Sequence, residues 1–151
     1  MRTASFVLTL IPLTFALSGC EPASTTGAVY CTVIADFAYA DKARRNIVAP
    51  AHFRCDPPGA ATFDLTLALE KQQPDGTWRP LKSEGWQYRA SQTTSETAKD
   101  ARKVSFTVLC ADGVFRTSVS AQWTGGGVVR TRAMQTRGTK NPCSGRFGVN
   151  R

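Results

Sequence analysis

The sequence predicts an all-β fold, a single antiparallel β-sandwich of about seven short strands held by two disulfides. Three observations carry this expectation. Apolar residues recur with a period of two, as in Phe63, Leu65, Leu67 and Leu69, and nowhere with a sustained helical period. Turn-forming clusters, Pro74-Asp75-Gly76, Asp112-Gly113 and Gly125-Gly126-Gly127, punctuate these runs. Four cysteines, Cys31, Cys55, Cys110 and Cys143, remain once Cys20 is set aside, an even number suited to disulfides.

The chain begins with one positive charge, Arg2, followed by a stretch that is apolar from Ala4 to Leu17 apart from a few hydroxyls and Pro12. A bilayer span needs about 20 apolar residues, so this run is too short and has the layout of a secretory signal. Its exit, Leu17-Ser18-Gly19-Cys20, resembles the bacterial lipoprotein signal. The resemblance implies cleavage before Cys20 and acylation of its thiol; an ordinary cleaved signal with an incidental cysteine is the alternative. Residues 1–19 are thus expected to be a removed signal, and 20–28 a lipidated Cys20 with a polar tether. Two acyl chains anchor a protein stably where one does not. The remainder, 29–151, is long enough for one core and not for two.

In that domain Val29, Cys31, Val33, Ala35 and Phe37 alternate with more polar neighbours, and a second extended run, Asn46 to Cys55, follows the charged turn Asp41-Lys42-Ala43-Arg44-Arg45. Folded as a hairpin about position 43, the two runs place Cys31 opposite Cys55. Facing residues of an antiparallel pair lie about 4.5 to 5.5 Å apart, within disulfide reach. Phe63 to Leu69, the turn at Pro74-Asp75-Gly76 and a strand with Trp78 and Leu81 make another hairpin. Ser91 to Arg102 is polar and suits a short helix or loop. The Asp112-Gly113 pair predicts a two-residue hairpin that sets Cys110 against Phe115, Val108 against Thr117, Phe106 against Val119 and Val104 against Ala121. Val128 to Met134 then returns as the last strand toward Cys110, which favours Cys110 with Cys143. The competing arrangement joins Cys55 to Cys110 and Cys31 to Cys143 across two sheets, as in immunoglobulin domains.

The succession of a cysteine, a Leu-rich strand, Gly76-Thr77-Trp78 and the hairpin Gly113 to Val119 resembles small disulfide-bonded, immunoglobulin-like domains secreted by actinobacteria. That resemblance spans Cys31 to Cys143, implies an immunoglobulin-like sandwich and supplies no catalytic residue.

The chain has 19 Lys and Arg against 11 Asp and Glu, a formal net charge of +8. The acids all precede Val114, whereas Arg116, Arg130, Arg132, Arg137, Lys140, Arg146 and Arg151 follow it. Arg116, Arg130, Arg132, Arg137 and Lys140 are therefore the candidate surface for an anionic lipid, an anionic envelope polymer or an acidic protein. Guarding an exposed strand edge against aggregation is the competing role. A nucleic acid is not expected for a domain tethered outside the cytoplasm.

Chemistry is thinly signalled. His52 is the one histidine, and no GxSxG, HExxH or P-loop pattern accompanies it. No cysteine pair is spaced as CxxC, so neither a metal site nor a cofactor is expected. Trp78, Trp86, Trp123 and Tyr88 are candidates to line a carbohydrate or peptide site, and core packing accounts for them equally. The expected function is that of a cell-envelope lipoprotein, anchored through Cys20 to the outer face of the cell membrane or to the outer membrane, acting as a non-enzymatic binding or shielding module. The alternatives are a phage- or prophage-encoded lipoprotein that excludes a second phage, and an envelope-polymer hydrolase using His52.

Overall fold

A computed structural model describes residues 27–95 and 97–144. The signal 1–19, Cys20, most of the tether, Arg146 and Arg151 lie outside the described residues. The strands are β1 (Cys31–Ala35), β2 (Tyr39–Ala40), β3 (Asn46–Cys55), β4 (Thr62–Gln72), β5 (Trp78–Tyr88), β6 (Arg102–Leu109), β7 (Val114–Gly125), β8 (Val128–Gln135) and β9 (Thr139–Lys140). The polar stretch before β6 holds two single 3-10 turns, Ala90–Gln92 and Ala98–Asp100.

In the first sheet β1 and β2 lie in succession along one side of β3, and β6 lies along the other. The second sheet runs β5-β4-β7-β8, with β9 continuing the line of β8 beside β7. All ladders are antiparallel, and the broken lines reduce the strands to seven positions, three facing four. The chain crosses between sheets after β3, β5 and β6, the connectivity of an immunoglobulin-like sandwich.

Alternation decides which face is buried. On β4, Phe63, Leu65, Leu67 and Leu69 are buried while Asp64 and Thr66 are exposed, and on β7 Trp123, Ala121, Val119 and Thr117 oppose them in register, with the buried Phe115 opposite Lys71. The first sheet contributes Val33, Ile47, Ala49, Ala51, Phe53, Val104 and Phe106. Rings fill the middle of this core, with Phe53 stacked on Phe63 at 4.4 Å between centroids and tilted against Tyr88 at 4.9 Å. The buried Trp123 indole donates to the Val29 carbonyl at 3.0 Å, which satisfies its one donor and fixes the entry of the chain.

The hairpin about position 43 forms in the expected register, and Cys31 is bonded to Cys55. The Cys110–Cys143 bond is also present. The hairpin expected at Asp112-Gly113 does not form, because β6 pairs with β3 in the first sheet and β7 with β4 and β8 in the second. Gly113 has φ 141° while Asp112 keeps a negative φ, so the turn lacks the two positive φ angles of a tight hairpin and carries the chain between sheets. Cys110 therefore extends the first sheet, its N–H donating to the Arg45 carbonyl at 2.9 Å, and its bond to Cys143 ties that sheet to the segment after β9. The tight two-residue turn occurs instead at Gly126-Gly127, with φ 60° and 74°.

Thr117 is a core position with a hydroxyl. Its side chain is fully buried and Oγ1 has no hydrogen-bond partner among the described residues. An unpaired buried hydroxyl costs about 1–3 kcal/mol. Thr117→Val keeps the shape and removes that cost, so it is expected to raise unfolding stability by about 1 kcal/mol. Equilibrium denaturation measures the change, and a loss of stability would show that the hydroxyl is satisfied.

Candidate functional site

The five described basic residues of the C-terminal part divide into two groups. Arg116 on β7 faces the outside of the second sheet, where its Nε meets Glu70 Oε2 at 2.5 Å and its guanidinium covers the Trp78 ring at 4.4 Å. Both ion-pair partners are 18% exposed at the side chain. Arg116 is thus engaged within the protein, its acid supplied by β4 across 46 residues of sequence. The other four follow one margin of the second sheet: Arg130 and Arg132 on β8, Arg137 in the following segment and Lys140 on β9. None of these four enters the three ion pairs found among the described residues.

Register shows why Arg130 and Arg132 sit where they do. They pair with Trp123 and Ala121, core residues of β7, so both project from the strand face turned toward the other sheet. The second sheet is one strand wider than the first, so this face of β8 is only partly covered: Arg130 is half-buried over the Tyr30 ring at 4.6 Å, and Arg132 is exposed. The opposite margin follows the same rule. Lys82 and Glu84 on β5 pair with Leu69 and Leu67, bind each other at 2.5 Å, and Lys82 lies 4.9 Å from the Phe106 ring. Inward-pointing charges on both edge strands oppose edge-to-edge association.

His52 lies on the outer face of β3, between Ile34 of β1 and Lys103 of β6. Its Nδ1 is 2.8 Å from Asp36 Oδ2, a contact that orients the imidazole and directs Nε2 away from the carboxylate. Thr32, Ile34, His52, Arg54 and Ala101 line a depression of about 130 Å³ there. Ligand pockets usually measure about 300–1,000 Å³, so the depression holds one functional group and not a whole small molecule. Nucleophilic catalysis needs a hydroxyl or thiol within about 2.6–3.2 Å of the base. Among the described residues no such group is bonded to His52, Thr32 included. The arrangement therefore supplies an oriented imidazole beside Arg54 and Lys103, a cationic patch that linear counting missed because it is assembled from two strands.

The aromatic residues do not converge. Trp123 is in the core, Trp86 and Tyr88 are half-buried on the inner face of β5, and Trp78 is on the outer face beneath Arg116. Among the described residues no cluster of His, Cys, Asp and Glu is arranged to hold a metal ion, and no helix is long and apolar enough to cross a membrane. Compared with known proteins, the chain matches no family model and no curated relative.

Tyr88 carries a measurable signature of this packing. Burial against Phe53 pushes its phenol above the usual value of 10.0, and the Arg102 guanidinium, 5.2 Å from the ring, offsets part of that rise. The folded state holds the phenolic proton to higher pH than the unfolded state, so this contribution to stability is complete below pH 10.0 and is lost as pH rises through the raised value. Tyr88→Phe is expected to flatten the decline in stability above pH 10.0. Denaturation curves across that range, compared with the native protein, provide the test; an unchanged slope would contradict the assignment.

Proposed function

We propose that the chain is a cell-envelope lipoprotein, held at the membrane through Cys20, whose sandwich is a non-enzymatic binding or shielding module for an anionic partner. Two disulfides suit an oxidising, extracytoplasmic compartment. The Leu17-Ser18-Gly19-Cys20 motif supports the anchor. The observation that carries the binding role is the basic margin of the second sheet, where Arg132, Arg137 and Lys140 are exposed and make no ion pair among the described residues.

Reach supports a partner beyond the lipid. The chain enters beside Gly125, whereas Lys140 pairs with Val114 at the far end of β7. A 12-residue strand is about 40 Å long, and the eight residues 21–28 extend to at most about 28 Å. Pressing the Lys140 end onto the bilayer would lift the entry point beyond the tether. The Lys140 end of the margin is therefore offered to an anionic envelope polymer or an acidic protein.

Arg132→Ser, Arg137→Ser and Lys140→Ser, combined in the full chain, are expected to lower the salt concentration at which the protein elutes from a polyphosphate resin, with the unfolding midpoint unchanged. Arg116→Ser, already paired with Glu70, is expected to alter elution far less. Equal elution of the triple variant and the native protein would remove the basic margin from the proposal.

A further inference from the structure

Among the described residues seven large apolar side chains are exposed, and three of them gather at one end: Tyr30 at 61%, Val128 at 43% and Val129 at 58%. This is the end at which residues 20–26 join the domain. Val29 packs so tightly on Gly125 that a Cβ built there would lie 2.5 Å from the valine Cβ, and the Trp123 indole holds the Val29 carbonyl. Tyr30 is fixed rather than frayed, because its carbonyl accepts the Asp56 N–H at 2.9 Å. The Gly126-Gly127 turn, with both φ angles positive, presents Val128 and Val129 at its shoulder, on opposite faces of β8.

We propose that this end is a membrane-docking tip that inserts Val128, Val129 and the Tyr30 ring into the headgroup boundary of a phospholipid bilayer. The inference rests on acylation of Cys20 for its orientation. Eight residues of at most about 28 Å in total separate Cys20 from Val29, so an acylated chain brings this end, and not the opposite one, to the bilayer. Aliphatic side chains favour the acyl boundary, and tyrosine favours the interface, where its ring is apolar and its hydroxyl wet. Arg130 completes the chemistry. Its guanidinium lies over Tyr30, and among the described residues no protein acceptor takes a hydrogen bond from it, its buried Nε being left unpaired. The exposed part of that cation is matched to a lipid phosphodiester.

The test uses the full chain purified from bacterial membranes and reconstituted in vesicles of phosphatidylethanolamine and phosphatidylglycerol. Hydrogen exchange is followed by mass spectrometry against the detergent-solubilised protein. The amides of 126–130 are expected to exchange at least fivefold more slowly on vesicles, while the turn at 41–45, at the opposite end, is unchanged. Val128→Asp with Val129→Asp is expected to abolish that protection while leaving Cys20 acylated and the protein sedimenting with vesicles. Acylated, sedimenting protein with no slowing at 126–130 would overturn the tip and leave the anchor standing. Intact mass showing Cys20 without acyl chains would overturn the anchor. In that case vesicle binding that depends on Val128 and Val129 would sustain the tip alone, and absence of binding would overturn both. Protection seen with envelope extract but not with pure vesicles would assign the surface to a protein and overturn the lipid proposal.

Discussion

A sheet of three strand positions cannot cover a sheet of four, and much of this domain follows from that mismatch. The inner faces of β4 and β7 lie in the middle of the wider sheet and are fully buried, apolar from Phe63 to Leu69 and, but for Thr117, from Phe115 to Trp123. The inner faces of β5 and β8 overhang. There the same period of two produces charged or half-buried residues, Lys82, Glu84, Trp86 and Tyr88 on one margin and Arg130, Arg132 and Met134 on the other. Cationic heads lie over aromatic rings at both margins, Lys82 Nζ over Phe106 and the Arg130 guanidinium over Tyr30. Core closure and edge protection are thus achieved by the same side chains.

The covalent bonds complement that core at two different joints. Cys31–Cys55 links neighbouring strands within the first sheet, and Cys110–Cys143 links the end of β6 to the segment after β9. The bonded residues are separated by 24 and 33 positions, for which chain-entropy reasoning gives about 3–4 kcal/mol each. Set against a typical net stability of about 5–15 kcal/mol, two such bonds decide whether a domain of this size stays folded. The Asn141 N–H and side chain both bond Gly113, so the second disulfide closes a joint that is also hydrogen-bonded.

The layers and both disulfides were legible in the sequence, but the partner of β6 was not. Alternation reads which face of a strand is buried, and the β1–β3 register followed from symmetry about position 43 because a short charged turn leaves one way to fold back. At Asp112-Gly113 the same reasoning failed. Val104, Phe106 and Val108 match the inner face of β3 as well as that of β7, and a local turn signal cannot choose between them. Strand return alone does not account for the Cys110–Cys143 pairing, since β8 returns beside β7 but Cys110 belongs to the other sheet. Charge behaved in the same way. The acid-free run after Val114 suggested five equivalent cations, whereas Glu70 reaches Arg116 from a neighbouring strand; cross-strand neutralisation does not register in a linear count. The His52, Arg54 and Lys103 patch is invisible in the sequence for the converse reason, its members being brought together only by the β3–β6 ladder.

The ends of the domain differ in chemistry, and the difference runs along the strands. Gly27, the first described residue, adjoins the end that displays Tyr30, Val128 and Val129, whereas Ser144, the last described one, adjoins Asn141 at the opposite end. Strands of about 40 Å thus separate the end that displays Tyr30, Val128 and Val129 from the end that carries Arg137 and Lys140. Under the proposed anchorage, rigidity is what gives this polarity a use. Arg137 and Lys140 follow a strand line with little internal pairing of its own, since β9 has only two residues. They keep their place because Lys140 pairs with Val114, Asn141 bonds Gly113 and Cys143 is covalently tied to the first sheet. In the proposed binding role, a cationic margin fixed in this way would lose less backbone conformational entropy on meeting a polyanion than a free basic tail would.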